Sequence, residues 1–265
     1  MTADESPVLF RRDGAVATLT LNRPQRLNAI SLEMGQALLE HVRAIGKDPE
    51  IRAVVLTGAG RGFSAGADFG GSDIPVNPAG YPDLRGRLDD LFNPCIVEMR
   101  AMPQPIVAAV NGVTAGIGMS FALACDLILA AESASFLFAF SGIALSPDGG
   151  LIAHAAARIG FTRTAQLALL GDRVPAKQAL DWGLINAVHP DAELGAEAQA
   201  VAAKLAAGPT VAHAGAKEQL TMAVADLAGR LAREAHIQQR NGEAADFAEG
   251  VAAFQEKRPA KFLGR

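Results

Sequence analysis

The chain has 265 residues, 50% of them hydrophobic and 20% charged, with a formal net charge of −4 and a pI near 5.8. That length accommodates one large domain, with or without an appendage, and a sizeable core, while the mild acidity gives no reason to expect a nucleic-acid or membrane-surface partner. Two cysteines, Cys95 and Cys125, make no disulfide framework and fit a reducing cytoplasm; the five histidines lack metal-ligand spacing, so no metal is expected, and the acidic N-terminal residues carry no apolar run of the signal-peptide kind.

In chain order, residues 8–12 and 15–21 flank Asp13-Gly14, a turn pair that joins two strands in a hairpin. Asn22-Arg23-Pro24 stops the second strand. Ser31 is placed to cap a helix in which Met34, Ala37, Leu38, His41, Val42 and Ile45 recur at helical spacing as far as Asp48-Pro49. Residues 53–57 read as a buried strand that delivers the glycine-rich segment 58–71. Within it, Gly62-Phe63-Ser64-Ala65-Gly66 matches the G-x-S-x-G nucleophile elbow of hydrolases. An elbow needs a helix directly after the serine, whereas a loop follows here. Residues 72–83 form an irregular loop, and 84–102 an amphipathic helix that Asn93-Pro94 kinks or splits.

The stretch 106–126 carries the strongest pattern. Short apolar residues lead through Asn111-Gly112 to Gly116 and Gly118 and then into an apolar run closed by Asp126, as a buried strand turning into a buried helix would be written. The prolines and glycines argue against a membrane span, and Phe121 stands where a dinucleotide fingerprint needs a small residue. Glycines here leave the helix N-terminus open, so its unpaired N–H groups face oxygen that carries or develops negative charge.

Residues 127–131 and 135–139 are short strands, followed by Pro147-Asp148-Gly149-Gly150. A carboxylate in that setting is commonly a turn former or helix cap. Phe136, Phe138, Phe140, Ile143 and Leu145 surround it in sequence with apolar side chains, however, and such a neighbourhood raises a carboxylate toward useful base strength. Beyond it, 158–170 and 174–182 read as packed helices, 184–188 as a strand, and 192–207 as an alanine-rich helix ended by Gly208-Pro209. Helix is expected throughout 210–255, with an apolar stripe suited to a neighbouring subunit rather than to lipid.

Several segments together resemble the crotonase (enoyl-CoA hydratase/isomerase) superfamily: Asn22-Arg23-Pro24 with Asn28-Ala29, the run from Phe63 to Asp68, and that from Ala109 to Asp126. Ala179 with Gly183-Leu184-Ile185, and the final run Glu249-Gly250 through Lys257-Arg258-Pro259, extend the likeness. The resemblance implies an α/β spiral of ββα turns over residues 1–190 carrying an acyl-CoA site, and a helical region over 191–265 used to form a homotrimer or a dimer of trimers. It implies that the backbone N–H groups of Ala67 and Ile117 hold the thioester oxygen. Arg26, Leu27, Ala29, Ala65, Gly66, Asp68 and Gly116 then border the substrate, Lys261 and Phe262 lie where a tail reaches a neighbouring CoA, and no cofactor beyond the CoA of the substrate is needed.

The departures from the family pattern bear on the reaction. Ser120 and Phe140 occupy the positions where hydratases of the family carry two glutamates, and these two residues cannot activate water as a carboxylate pair. The segment from Phe138 to Gly150 instead resembles the isomerase branches, which carry a single acid at the position of Asp148. The expected function is therefore shifting a 3-enoyl-CoA to its 2-enoyl isomer, with Asp148 as general acid and base. A hydratase with atypical residues, an isomerase of ring-derived CoA thioesters and a non-catalytic acyl-CoA binding protein stand as alternatives.

Overall fold

A computed structural model describes residues 6–70, 75–224 and 226–264. The chain enters as the hairpin of β1 (Val8–Asp13) and β2 (Val16–Leu21), in which Asp13 faces Val16, so the turn falls on Gly14-Ala15, one residue later than expected. Helix α1 (Leu32–Lys47) starts where Ser31 accepts a hydrogen bond from the Met34 N–H at 3.2 Å, and it buries Met34, Leu38, Val42 and Ile45 on one face.

From there the chain repeats one unit three times. Strands β3 (Ala53–Gly58), β5 (Ile106–Val110) and β7 (Leu127–Ala131) join a six-stranded sheet in the order β1-β2-β3-β5-β7-β10. Each is followed by a three-residue strand, β4 (Gly62–Ser64), β6 (Val113–Ala115) or β8 (Ser135–Leu137), in a second sheet of order β4-β6-β8-β9. A helical stretch closes each turn: α2 (Leu84–Arg87) with α3 (Asn93–Ala101), then α4 (Ile117–Ala124), then α5 (Leu151–Leu170). The result is a spiral of ββα turns, and α4, buried along its whole length, lies in its centre. The chain finishes with β9 (Val174–Pro175), α6 (Ala176–Asp181), β10 (Ala187–His189), α7 (Leu194–Ala207), α8 (Thr210–Ala223), α9 (Leu227–Gly242) and α10 (Ala245–Glu256). Helix α7 packs on the large sheet against β2, β3, β5 and β7, and α10 packs on the short helical turn Ser141–Ile143.

Several boundaries depart from the sequence reading. The helix over 84–102 is split next to Asn93-Pro94 as expected, but by a wide π turn at Leu88–Phe92 that lies before the pair. Proline offers no N–H to the ladder and presses on the carbonyl four residues back, and widening the turn relieves both. The continuous helix expected over 210–255 is three helices. Asp226 breaks it with a left-handed backbone (φ 52°) and caps α9 by accepting from Gly229, and Ala244 breaks it again in an extended conformation. Helix α5 begins at Leu151, seven residues earlier than expected, because the chain turns into it immediately after Gly149-Gly150. Within 174–182 the first two residues form a strand that pairs with β8 rather than a helix. The strand expected over 135–139 stops at Leu137, since Ala139 is left-handed (φ 51°), and that expected over 184–188 is shifted to Ala187–His189. Part of the expected loop 72–83 lies outside the described residues; Val76 and Pro82 bridge across the rest.

Candidate active site

Strands β4, β6 and β8 run parallel, with Ser64 beside Thr114 and Thr114 beside Phe136, so the segments leaving their C-terminal ends emerge side by side. Those segments, with Ala65, Gly66 and Ala67, Gly116 and Ile117, and Leu137, Ala139 and Phe140, pave a cavity of about 330 Å³. Ile143, Leu145, Asp148 and Leu170 complete its walls, with Phe69 and Phe254 contributing rings. Among the described residues of this lining, every side chain apart from Asp148 and Ser141 is apolar or absent.

Two residues of this lining, Ala67 and Ile117, have backbone N–H groups left without a helix or bridge acceptor, for separable reasons. Ala67 forms a parallel bridge with Ile30 in which the Ile30 N–H donates to the Gly66 carbonyl (2.8 Å) and the Asp68 N–H to the Ile30 carbonyl (3.0 Å). That pattern turns the Ala67 N–H away from the bridge. Ile117 is the first residue of α4, where an N–H has no acceptor within the helix. Before it, Gly116 has φ 52° and ψ −133°, a backbone that side chains oppose, and a Cβ added there would lie only 3.6 Å from the Gly66 Cα. The two donor segments are therefore in contact. Two such N–H groups form an oxyanion hole wherever a carbonyl oxygen reaches both.

Asp148 is 7% exposed. Its Oδ2 accepts from Gln238 Nε2 at 2.7 Å, and its Oδ1 has no partner. Burial pushes its pKa up to about 7, against smaller downward effects of the Gln238 hydrogen bond and the Arg87 charge. The loop around it is held from two sides. Ser120 Oγ on α4 donates to the Asp148 carbonyl at 2.8 Å. Helix α9 supplies three polar residues at helical spacing: Glu234 accepts from the Gly150 N–H (2.8 Å), Gln238 accepts from the Ser146 N–H (3.2 Å), and Asn241 donates to Ser146 Oγ (2.9 Å). Glu234 is itself raised to about 7, by burial and, more weakly, by the charge of Asp148, with the Gly150 N–H and Arg230 opposing.

Of the residues expected at the site, Asp148, Ala65, Gly66, Ala67, Gly116, Ile117 and Phe140 line the cavity. Arg26, Leu27, Ala29, Asp68 and Ser120 do not. Arg26 is exposed; Asp68 makes an ion pair with Arg23 at 2.8 Å, and although burial, the largest single effect, raises its pKa, the Gly70 N–H, Arg23 and Arg26 together outweigh it and hold the carboxyl below its ordinary value; and Ser120 stands fully buried behind the Asp148 loop. Phe136 and Phe138 are core residues outside the lining, so the apolar setting of Asp148 comes instead from Phe140, Ile143 and Leu145, joined by residues distant in sequence. Ser64 of the G-x-S-x-G match is fully buried, donates to the Asn28 carbonyl at 2.9 Å, and is followed by no helix. Gln238 and Glu234 went unnoticed in the sequence. Their signal is the polar series 234, 238, 241 on a helix whose buried face otherwise carries Leu227, Leu231 and Ala235.

The description "Enoyl-CoA hydratase/isomerase" belongs to the family model that matches residues 11–265. Among curated proteins, the chain is 40% identical to 1,2-epoxyphenylacetyl-CoA isomerase of Escherichia coli (strain K12), covering 97% of this chain and 98% of that one. It is 39% identical to a protein of Rhodobacter capsulatus named probable enoyl-CoA hydratase, over 94% and 95% of the two chains. Among solved structures, an enoyl-CoA hydratase from Mycobacterium avium subsp. paratuberculosis K-10 superimposes with a TM-score of 0.88 at 37% identity, covering 97% of this chain and 98% of that one. With the spiral fold and a match spanning nearly the whole chain, this protein belongs to the enoyl-CoA hydratase/isomerase family.

Proposed function

We propose that the protein is an acyl-CoA isomerase that moves a double bond from the 3,4 to the 2,3 position by proton transfer through a dienolate. The observation that carries this reading is Asp148: among the described residues the single carboxylate in the cavity lining, buried, poised near pH 7, with one oxygen unpaired. As carboxylate, Asp148 takes a proton from C2 of a 3-enoyl thioester. The N–H groups of Ala67 and Ile117 hold the thioester oxygen as charge develops on it, and donors of this kind contribute about 2.7–4 kcal/mol each to the transition state. The protonated Asp148 then delivers its proton to C4, and the double bond settles between C2 and C3. Apolar walls suit this sequence because water would intercept the dienolate.

Hydration needs a second carboxylate to hold water. Glu234 is tied to the Gly150 N–H and is absent from the lining, while the side chains of Ser120 and Phe140 offer none. A ring-derived thioester is the second reading, favoured by the 40% identity to 1,2-epoxyphenylacetyl-CoA isomerase and by the rings of Phe69, Phe140 and Phe254 in the walls. In either case the CoA is part of the substrate, no further cofactor takes part, and Arg26, Leu27 and Ala29 border its path outside the cavity. Purified protein should convert a 3-enoyl-CoA to the 2-enoyl isomer and hydrate a 2-enoyl-CoA far more slowly. Faster hydration, surviving Asp148→Asn, would overturn the assignment; turnover of a ring epoxide thioester alone would select the second reading.

Residues 191–265 serve assembly in this proposal, with a second copy covering the apolar face on which Val211 is 88% and Met222 72% exposed. Sedimentation should return three or six times the mass of 27.5 kDa. No helix among the described residues is long and apolar enough to cross a membrane, and the free, buried thiols of Cys95 and Cys125 suit a cytoplasmic location.

A further inference from the structure

Helix α9 comes from the region assigned above to assembly, yet its Gln238 is 2% exposed and reaches the Asp148 carboxylate of the cavity. The direction of its amide is not free. The Ser146 N–H donates to Gln238 Oε1 at 3.2 Å, and the Ser146 hydroxyl lies 3.4 Å from the same oxygen, so the amide oxygen must face Ser146 and the NH₂ must face Asp148. Nε2 then occupies Asp148 Oδ2 at 2.7 Å and leaves Oδ1 unpaired, although that oxygen too is buried. Because Gln238 and Asn241 hold Ser146, and Glu234 holds Gly150, the helix grips the loop on both sides of Asp148.

We propose that Gln238 is the positioning residue of the site, its amide pinning Oδ2 of Asp148 so that Oδ1 is the oxygen that takes the proton from the substrate and returns it. The inference rests on the isomerase reading for the word substrate, but the pinning is a property of the free protein. Its consequence is twofold. The carboxyl plane is fixed before substrate arrives, and a donor on Oδ2 favours the charged, proton-accepting form. Among the described residues, the charged groups facing this pair are Arg87 from α2, which also favours the carboxylate, and Glu234 from α9, which is itself faced by Arg230. Neither contacts Oδ2.

Replacing Gln238 by Met keeps the bulk and removes the donor. The ¹³C signal of the Asp148 carboxyl, assigned by its loss in Asp148→Asn, should titrate at higher pH in Gln238→Met by ~1 unit. The acid limb of kcat/KM should move with it, and at pH 9, where both proteins are ionised, kcat should remain ~10- to 100-fold low with KM little changed. Asn241→Ala removes another rung from the same loop without touching the carboxylate and should leave the titration in place. Should Gln238→Met fail to fold, Gln238→Asn, which keeps the amide on an arm too short to reach, should show the same upward shift. A folded variant whose Asp148 titrates as in the wild type overturns the proposal. A shifted titration in a protein that isomerises nothing upholds the pinning and overturns the isomerase reading alone.

Discussion

Two aspartates that border the core, Asp126, with its side chain 11% exposed, and Asp148, 7% exposed, have opposite surroundings. Asp126 accepts from Arg100 at 2.7 Å, from Lys217 at 3.1 Å and from the Ile106 N–H at 2.8 Å, so each of its oxygens meets a cation and the ion cluster joins α3, α8 and the starts of β5 and β7. Asp148 has one neutral amide on one oxygen and nothing on the other. Full pairing makes a buried carboxylate part of the framework, because any other state leaves cations stranded. Partial pairing leaves an oxygen with an affinity for protons and a cavity in which to use it. The difference lies in the partners, not in the residue type.

The comparison breaks most sharply in activity. Asp148→Asn keeps an acceptor for Gln238 but has no basic oxygen, and it should lower isomerisation about 10³-fold with the fold intact, as read by steady-state rates beside circular dichroism. Asp126→Ala should do the reverse, costing about 3–5 kcal/mol in denaturant unfolding because Arg100 and Lys217 are left buried without their counter-charge. Any protein that remains folded should still turn over substrate.

A pH series sharpens the contrast further. Folded Asp148 holds its proton to about pH 7, whereas the unfolded chain releases it near the ordinary 3.8. Between those values each rise in pH therefore withdraws stability, and above pH 7 the loss is complete. Asp148→Asn should accordingly be more stable than the wild type above pH 7, by up to about 4 kcal/mol if nothing relaxes, with the gap closing toward pH 4. Thermal melts across pH 4–8 measure it. The smallest effect belongs to Ser64, a buried hydroxyl that serves only local bonding: Ser64→Ala should cost about 1 kcal/mol, and the wild-type serine should resist a fluorophosphonate probe.

Local grammar carries much of this protein. The hairpin, the Ser31 cap, the buried strands and the glycine-rich turn into α4 are short-range consequences of side-chain spacing and backbone freedom, and they were legible at or within a residue or two of their observed places. The open helix start after Gly116 belongs to the same class, whereas Ala67 and Ile117 were assigned as donors through the family resemblance. Boundaries in the alanine-rich C-terminal region were not legible, because alanine favours helix without marking where one ends, and the breaks at Asp226 and Ala244 are set by capping and packing.

By itself, then, the sequence determined the repeated strand-turn-helix order, the apolar stretch around α4 and the presence of an acid between Pro147 and Gly149. Only the tertiary structure decided what that acid is. Phe69, Leu170 and Phe254 come to the cavity wall from three distant segments, and Gln238 reaches Oδ2 from 90 residues away. Desolvation depends on everything within a few ångströms, whatever its place in the chain, so the proton affinity of Asp148 is a property of the assembled spiral and its C-terminal helices rather than of the five residues around it.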